Sequence, residues 1–136
     1  METTRAVIDT DILIDLLRNV TKVVDSITQM ERKGCLLATT TINAFELFHG
    51  AYKSKRREKN LASTKTLLRR LIILEMGLAS AQNAGRIYAE LEREGQPIGL
   101  RDAMIGAIAL TKGYSLATRN IEHFQKINGL NLIPIP

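Results

Sequence analysis

Short apolar runs alternate with longer amphipathic segments along the whole chain, and this alternation restricts the possible folds more than any other feature. The predicted strands are residues 4–8, 35–38, 71–74, 114–118 and 130–133. Between them lie segments whose apolar residues recur at helical spacing. The resulting order is β-α-α-β-α-α-β-α-α-β-α-β. It predicts an α/β protein whose parallel five-stranded sheet is flanked by helices.

The predicted helices are bounded by recognisable start and stop signals. They cover residues 11–18, 21–33, a segment from the threonines at 39–41 to about residue 52, and residues 58–70, 78–94, 100–112 and 120–126. Asp11 is the expected N-cap of the first helix, and Gly34 and Gly113 follow helix ends. Because the helix at 100–112 has almost no polar side chains, we expect it to be buried on most sides.

Length and composition favour one domain spanning residues 1–136. Aromatic residues make up only 4% of the chain, so base stacking on aromatic platforms is not the expected mode of nucleic-acid binding. Cys35 is the single cysteine, which excludes an intrachain disulfide and a four-cysteine zinc site. The sequence has no signal-like segment and no apolar stretch of membrane-spanning length, so we expect a cytoplasmic protein without membrane association.

The chain is basic, with a net charge of +5 and a sequence pI near 9.6. Its basic side chains concentrate in one cluster, which consists of Lys53, Lys55, Arg56, Arg57 and Lys59, followed by Lys65, Arg69 and Arg70. Such a cluster suits phosphate contact and equally suits a solvated helix face. The charge therefore allows a polyanionic partner without establishing one.

Two candidate site residues follow predicted strands. Asp9 comes directly after the first strand, and Asn120 follows the strand at 114–118. Ligands of open α/β sheets bind at the carboxyl ends of the strands, so both residues are expected at that edge. Helix capping would explain either of them alone, but Asp11 is better placed than Asp9 for that role.

Two further acids lie on predicted helices. Glu46 falls on the border of a helix face carrying Phe45 and Tyr52, which we expect to point inward, so its carboxylate needs a partner. A capping box that starts at Asn43 is the alternative role of Glu46. Asp102 begins the apolar helix at 100–112, and we expect it to point into the protein or a cleft. Interaction with the helix dipole is its alternative role.

Asp9, Glu46, Asp102 and Asn120 are together the predicted catalytic residues. Carboxylates that approach one another repel, and a bound cation relieves that repulsion. Mg²⁺ and Mn²⁺ prefer oxygen ligands. Such an ion serves phosphodiester hydrolysis, because it activates a water and stabilises charge on the attacking and leaving oxygens.

Four segments resemble the signature segments of PIN domains, most closely those of the VapC toxins of prokaryotic toxin–antitoxin pairs. They are residues 7–14 (VIDTDILI), 43–51 (NAFELFHGA), 100–109 (LRDAMIGAIA) and 118–124 (TRNIEHF). The likeness spans essentially the whole chain, and the first and third segments are the most specific. The resemblance implies a small Rossmann-like parallel sheet and a Mg²⁺- or Mn²⁺-dependent endoribonuclease.

The resemblance also implies residue roles. Asp9, Glu46 and Asp102 match three acids present in nearly all members, and the first and third of these usually contact the metal most directly. Asn120 stands where Asp is often found. His123 stands where a further acid is common, and Glu122 precedes it. These departures put a second metal ion in doubt, though not the first.

The partners implied by the resemblance are an RNA substrate, a second copy in a homodimer, and a small VapB-like antitoxin. The C-terminal segment of such an antitoxin covers the acidic groove. Promoter DNA is bound only through the toxin–antitoxin complex.

Two alternatives stay open. Asp9-Thr10-Asp11 is similar to the opening motif of haloacid-dehalogenase-type phosphatases. That motif has Thr or Val where this chain has Leu13, and the chain is short for the fold. The second alternative is a catalytically silent PIN-like module that binds RNA or protein. Neither a nucleophile elbow nor a phosphate-cradling glycine loop is present in the sequence.

Overall fold

The structure is a computed structural model that describes residues 4–136, and in this range it contains the elements predicted, in the predicted order. The strands are β1 (Arg5–Ile8), β2 (Leu36–Thr40), β3 (Ile72–Leu74), β4 (Ser115–Thr118) and β5 (Leu132–Pro134). The helices are α1 (Thr10–Leu17), α2 (Thr21–Arg32), α3 (Thr41–Lys53), α4 (Arg57–Arg69), α5 (Leu78–Arg93), α6 (Leu100–Lys112) and α7 (Ile121–Phe124). The predicted α/β class is confirmed, with element ends shifted by a few residues.

The five strands form one parallel sheet in the order β3-β2-β1-β4-β5. β1 is central, and Val7 pairs in register with Ala38 of β2 and Leu116 of β4. The chain builds the sheet outward from β1 in one direction and then in the other. Such a reversal of strand order creates a ligand crevice at the carboxyl ends of the strands, where Asp9 and Asn120 lie.

Side chains of β1 enter hydrophobic cores on both faces of the sheet. Val7 belongs to the core formed with α5 and α6, whereas Ala6 and Ile8 belong to the core formed with α1 and α2. All three side chains are completely buried, and burying a valine or isoleucine contributes roughly 1.5–3 kcal/mol. Asp9 is therefore held where the central strand leaves the sheet.

α6 is as buried as its composition predicts, and its residues from Ile105 to Ala109 are inaccessible to solvent. Gly113 ends the helix in the left-handed region at φ 76°, a conformation that glycine adopts without strain. No helix within residues 4–136 is long and apolar enough to cross a membrane.

The predicted orientation of α3 is wrong. Phe45 and Tyr52 are 68% and 55% exposed, and they lie on its outer face. Leu47 and Ala51 are the apolar side chains that the helix buries. The helical spacing of the apolar residues is compatible with burial of either face of α3. The face that is buried carries the smaller apolar side chains.

Candidate active site

Asp9 is the most enclosed acid of the site, with only 2% of its surface exposed. Its backbone N–H donates to the carbonyl of Ala117 at 3.0 Å, which extends the pairing of β1 with β4. Its Oδ1 accepts hydrogen bonds from the Thr10 N–H at 2.8 Å, Asn43 Nδ2 at 3.1 Å and Arg101 Nη2 at 3.2 Å, and its Oδ2 accepts one from Thr118 Oγ1 at 2.7 Å. Both carboxylate oxygens are thereby fixed in place.

Asp9 is also the N-cap of α1, so the prediction that Asp11 caps this helix is wrong. Asp11 lies in the first turn, where its Oδ2 accepts the backbone N–H of Arg119 at 3.1 Å. Burial and the neighbouring charge of Asp9 raise the pKa of Asp11, although hydrogen bonds from Arg119 and Ile12 oppose the shift. Asp11 therefore fastens α1 to the end of β4 and does not share the Arg101 contacts of the other acids.

The start of α3 is connected to Asp9 through Asn43, which is completely buried. Thr40 and Asn43 form a capping box, in which Thr40 Oγ1 accepts the Asn43 N–H at 3.2 Å. The alternative role of Glu46 in a capping box starting at Asn43 is therefore wrong. The amide of Asn43 donates from Nδ2 to Asp9 and, at 2.9 Å, to Thr10 Oγ1.

Glu46 lies one helical turn beyond Asn43 and reaches the same place. Its Oε1 accepts a hydrogen bond from Thr10 Oγ1 at 2.7 Å. Its side chain is 27% exposed, compared with 3% for Asp9 and 6% for Asp102. Glu46 is thus the acid most accessible from solvent.

Asp102 occupies the first turn of α6 and points into the protein, as its position predicts. Its Oδ2 lies 3.0 Å from His123 Nδ1, and Asn120 Nδ2 lies 3.0 Å from that same ring nitrogen. Because one nitrogen cannot donate and accept at once, the two contacts alternate with the tautomer of the imidazole. His123 therefore joins the site, and Asn120 reaches it only indirectly.

Arg101 is the cation around which the three acids converge. Its Nη2 donates to Glu46 Oε1 at 2.7 Å and to Asp9 Oδ1, and its Nη1 donates to Asp102 Oδ1. Its buried Nε lies 2.7 Å from Glu46 Oε2, although this N–H is not aligned to donate. One guanidinium thus contacts every predicted acidic residue of the site.

The electrostatics of Arg101 favour its charged form. Burial acts to lower the pKa of Arg101, but the hydrogen bond that it donates to Glu46 and the charges of Asp9, Glu46 and Asp102 raise it on balance. Its side chain is 34% exposed. Arg101 is therefore permanently charged, and its side chain is partly open to solvent.

The structure brings Asp9, Glu46 and Asp102 together and leaves Asn120 at the margin. The Asn120 N–H donates to Thr118 Oγ1 at 3.0 Å, so its links to Asp9 and Asp102 run through Thr118 and His123. Glu122 is exposed, and within the described residues it makes no hydrogen bond or ion pair with the site.

Sequence reasoning missed four residues that hold the site: Thr10, Asn43, Arg101 and Thr118. All of them lie inside the four signature segments. The one available signal was a polar residue beside an acid, at a strand end or, for Asn43, one helical turn before an acid, and such residues are common at helix starts.

The donor chemistry of the site fits a hard divalent cation. Within residues 4–136, no three His, Cys, Asp or Glu side chains are grouped closely enough to hold a metal ion. Mg²⁺ needs only one or two carboxylates, because it retains several waters. A single guanidinium contacts both Asp9 and Asp102, so their oxygens already share one positive neighbour. The pair fits such an ion, whereas the part of the chain that the structure describes holds no three-ligand cage.

A cavity of about 400 Å³ between α1, α3 and α4 adjoins Glu46. Its lining combines apolar side chains such as Leu17 and Leu47 with the cations Arg18 and Lys59. The basic cluster continues from this cavity along α4, and every member is exposed. Positive charge therefore borders the acidic site on this side.

The sequence model of the PIN domain matches residues 6–130. Among curated proteins, the chain is 34% identical over 124 residues to the "tRNA(fMet)-specific endonuclease VapC" of Shigella flexneri, covering 90% of this chain and 92% of that protein. It is 33% identical over 123 residues to "Ribonuclease VapC2" of Haemophilus influenzae, with the same coverage.

The chain is also similar to solved structures of VapBC complexes. VapBC2 from Rickettsia felis, bound to a DNA fragment from its promoter, matches with a TM-score of 0.90 and 26% identity, covering 98% of this chain and 100% of that one. VapBC-1 from nontypeable Haemophilus influenzae matches with a TM-score of 0.86 and 27% identity, covering 96% and 98%.

Proposed function

The chain belongs to the PIN domain family, and we infer that it is a VapC-type endoribonuclease, the toxin of a type II toxin–antitoxin pair. We propose that residues 1–136 form a single such domain, which the match over residues 6–130 supports. The observation that carries the catalytic proposal is the convergence of Asp9, Glu46 and Asp102 at the reversal of strand order.

We assign the catalytic work to Asp9, Glu46 and Asp102, with Asp9 and Asp102 as ligands of Mg²⁺ or Mn²⁺. Such an ion, when bound, would activate a water and stabilise charge on the attacking and leaving oxygens. Glu46 is the most accessible acid, so it is best placed to accept a proton from an entering water. Asn120, also a predicted catalytic residue, acts by positioning His123 and Thr118.

The remaining residues of the site keep the acids in place. Asn43 and Thr118 each donate to Asp9, so neither oxygen of this carboxylate can turn away. Thr10 orients Glu46 through its hydroxyl. Preorganised acids of this kind need little rearrangement when the substrate binds.

The substrate is RNA, and its phosphates reach the acids past basic side chains. The Shigella flexneri relative is named as specific for tRNA(fMet), so initiator tRNA belongs in the first substrate panel. Recognition of RNA rests on shape and on unpaired loops, which makes structured and unstructured RNAs equally necessary tests.

The partner is a VapB-like antitoxin, and promoter DNA is bound through the complex. The cavity beside Glu46 is the place we propose for the antitoxin segment that covers the site. We also propose a homodimer. Leu78 and Leu100, at the starts of α5 and α6, are 88% and 60% exposed, and such an interface would bury them. A cytoplasmic location fits an RNA substrate.

The function is tested by incubating the purified protein with initiator tRNA and single-stranded RNA, with Mg²⁺ or Mn²⁺ and with chelator. We expect fragments only when the metal ion is present, and renewed cleavage when metal is added in excess of chelator. A catalytically silent module would instead retard RNA in a gel with or without metal and leave it intact. That result would overturn the enzyme assignment.

A further inference from the structure

Arg101 contacts the same carboxylates that the proposed function gives to a metal ion. Its guanidinium donates to Asp9 Oδ1 and Asp102 Oδ1. We propose that Arg101 is a resident counter-ion that a divalent cation must displace from Asp9 and Asp102. Metal binding is then an exchange of one cation for another. The inference rests on the proposed metal site and specifies how this chain regulates access to it.

A metal ion is unfavourable at Asp9 and Asp102 while Arg101 stays in place, because the carboxylate oxygens already accept hydrogen bonds. Asp9 Oδ1 accepts from Arg101 and two further donors, and Asp9 Oδ2 accepts from Thr118. Asp102 uses one oxygen for Arg101 and the other for His123. A divalent ion bound to either carboxylate would also lie close to a guanidinium of like charge, which repels it.

Of the side chains that donate to Asp9, Arg101 is the one that can leave. Asn43 and Thr118 are completely buried and belong to the ends of α3 and β4. The Arg101 side chain is 34% exposed and has a long flexible stem. It can therefore turn toward solvent or toward a substrate phosphate while the carboxylates stay fixed.

The exchange has a measurable consequence for metal affinity. The metal ion must break the contacts of Arg101 with the carboxylates before it binds, and this reduces the net free energy of binding. The wild-type chain should therefore bind metal more weakly than a variant that keeps the acids but lacks the charge of Arg101. A partly exposed contact between opposite charges corresponds to a change in affinity on the order of tenfold.

The test is direct titration with Mn²⁺ by calorimetry, without RNA, on the wild type, Arg101→Gln and Arg119→Gln. Arg119 is a matched control, because it is similarly exposed and pairs with Asp15 instead of the three acids. We expect Arg101→Gln to bind Mn²⁺ about tenfold more tightly than the wild type, and Arg119→Gln to match the wild type. Equal or weaker binding by Arg101→Gln would overturn the inference.

A second measurement decides the matter if Arg101→Gln does not fold. The Nε–H signal of Arg101 in the wild-type protein, labelled with ¹⁵N-arginine and assigned with Arg101→Lys, is followed by NMR during Mg²⁺ titration. We expect its hydrogen exchange with water to accelerate as Mg²⁺ saturates the protein. An unchanged signal at saturation contradicts the exchange.

The outcomes separate the inference from the proposed function. If the wild type binds Mn²⁺ and Arg101→Gln binds it no more tightly, only the exchange fails. If neither protein binds Mn²⁺, the metal site of the proposed function fails and the exchange fails with it.

Discussion

Asn43 Nδ2 donates to Asp9 Oδ1 at 3.1 Å and so joins the start of α3 to the end of β1 across 34 residues of sequence. The Oδ1 of the same amide accepts the backbone N–H of Thr40 and so closes the capping box. One completely buried side chain therefore both starts a helix and orients an acid of the site. Removing it should affect stability and function together.

We expect Asn43→Ala to lower the free energy of unfolding by about 2–4 kcal/mol, because it leaves the buried N–H of Thr40 without its acceptor and removes one of the donors to Asp9 Oδ1. Asn83→Ala is the control, since Asn83 makes one half-buried hydrogen bond to Thr111 at 2.8 Å. Its loss should amount to about 0.5–1.5 kcal/mol. Urea unfolding of both variants measures the difference, and equal losses would argue against a central role for Asn43.

Thr118→Val should slow RNA cleavage by roughly tenfold or more, because it removes the donor that fixes Asp9 Oδ2. Thr39→Val is the matched control. Thr39 is equally buried on β2, which lies on the other side of β1 from β4, but its hydroxyl donates to the carbonyl of Ile8 at 2.8 Å. Both variants should lose about 1–2 kcal/mol of stability. The comparison is made by kcat/KM at a temperature where both are folded, and equal rates would exclude a positioning role for Thr118.

The sequence was sufficient for the order of elements and for the three acids that converge. Asp9, Glu46 and Asp102 were recognisable because acids beside apolar strands and helices need partners. Their catalytic role stays a prediction. Arg101 was missed because local spacing does not tell that the residue next to Asp102 also reaches Asp9, 92 positions away in sequence. Such contacts depend on the tertiary packing of α6 against the sheet.

The orientation of α3 was missed for a related reason. Phe45 and Tyr52 are large and apolar in their rings, and burial of such side chains is the usual expectation. On its inner face α3 buries the smaller aliphatic side chains of Leu47 and Ala51 instead. Residue size therefore predicted the wrong face.

Gly106→Ala should destabilise the protein although alanine favours helices by about 1 kcal/mol. A Cβ at this position would lie 2.4 Å from Ile127 Cδ1. Because Ile127 is buried in the core, its side chain cannot turn into solvent to relieve the contact, and such overpacking costs about 1–3 kcal/mol. Gly85→Ala, which meets no atom within 4 Å on α5, should instead stabilise. Thermal unfolding shows whether the melting temperature of each variant falls or rises. The loss should shrink in an Ile127→Val background, and a loss of the same size there would reject the proposed clash.

Replacing Lys55 and Lys59 with glutamine should weaken RNA binding and reduce its salt dependence. Each lost phosphate contact lowers the slope of log affinity against log salt by about 0.7 for single strands. The control is the double replacement of Lys33 and Lys112 with glutamine, which removes the same charge. These two lysines precede β2 and β4 and so lie near the amino ends of the strands, opposite the site. Binding is measured with metal chelated. Equal slopes for both double variants would show that the basic cluster is only a solvated face.

The most direct test of the account is the rate at which folded Asp102→Asn cuts RNA in the presence of Mg²⁺ or Mn²⁺. The substitution preserves shape but removes a negative charge that the site presents to a cation, so we expect cleavage to fall on the order of a hundredfold or more. Glu122→Gln removes an equally negative but exposed side chain outside the site and should cut at the wild-type rate. Circular dichroism verifies that both variants are folded. Cleavage by folded Asp102→Asn at the wild-type rate would contradict the assignment of these acids as the catalytic site.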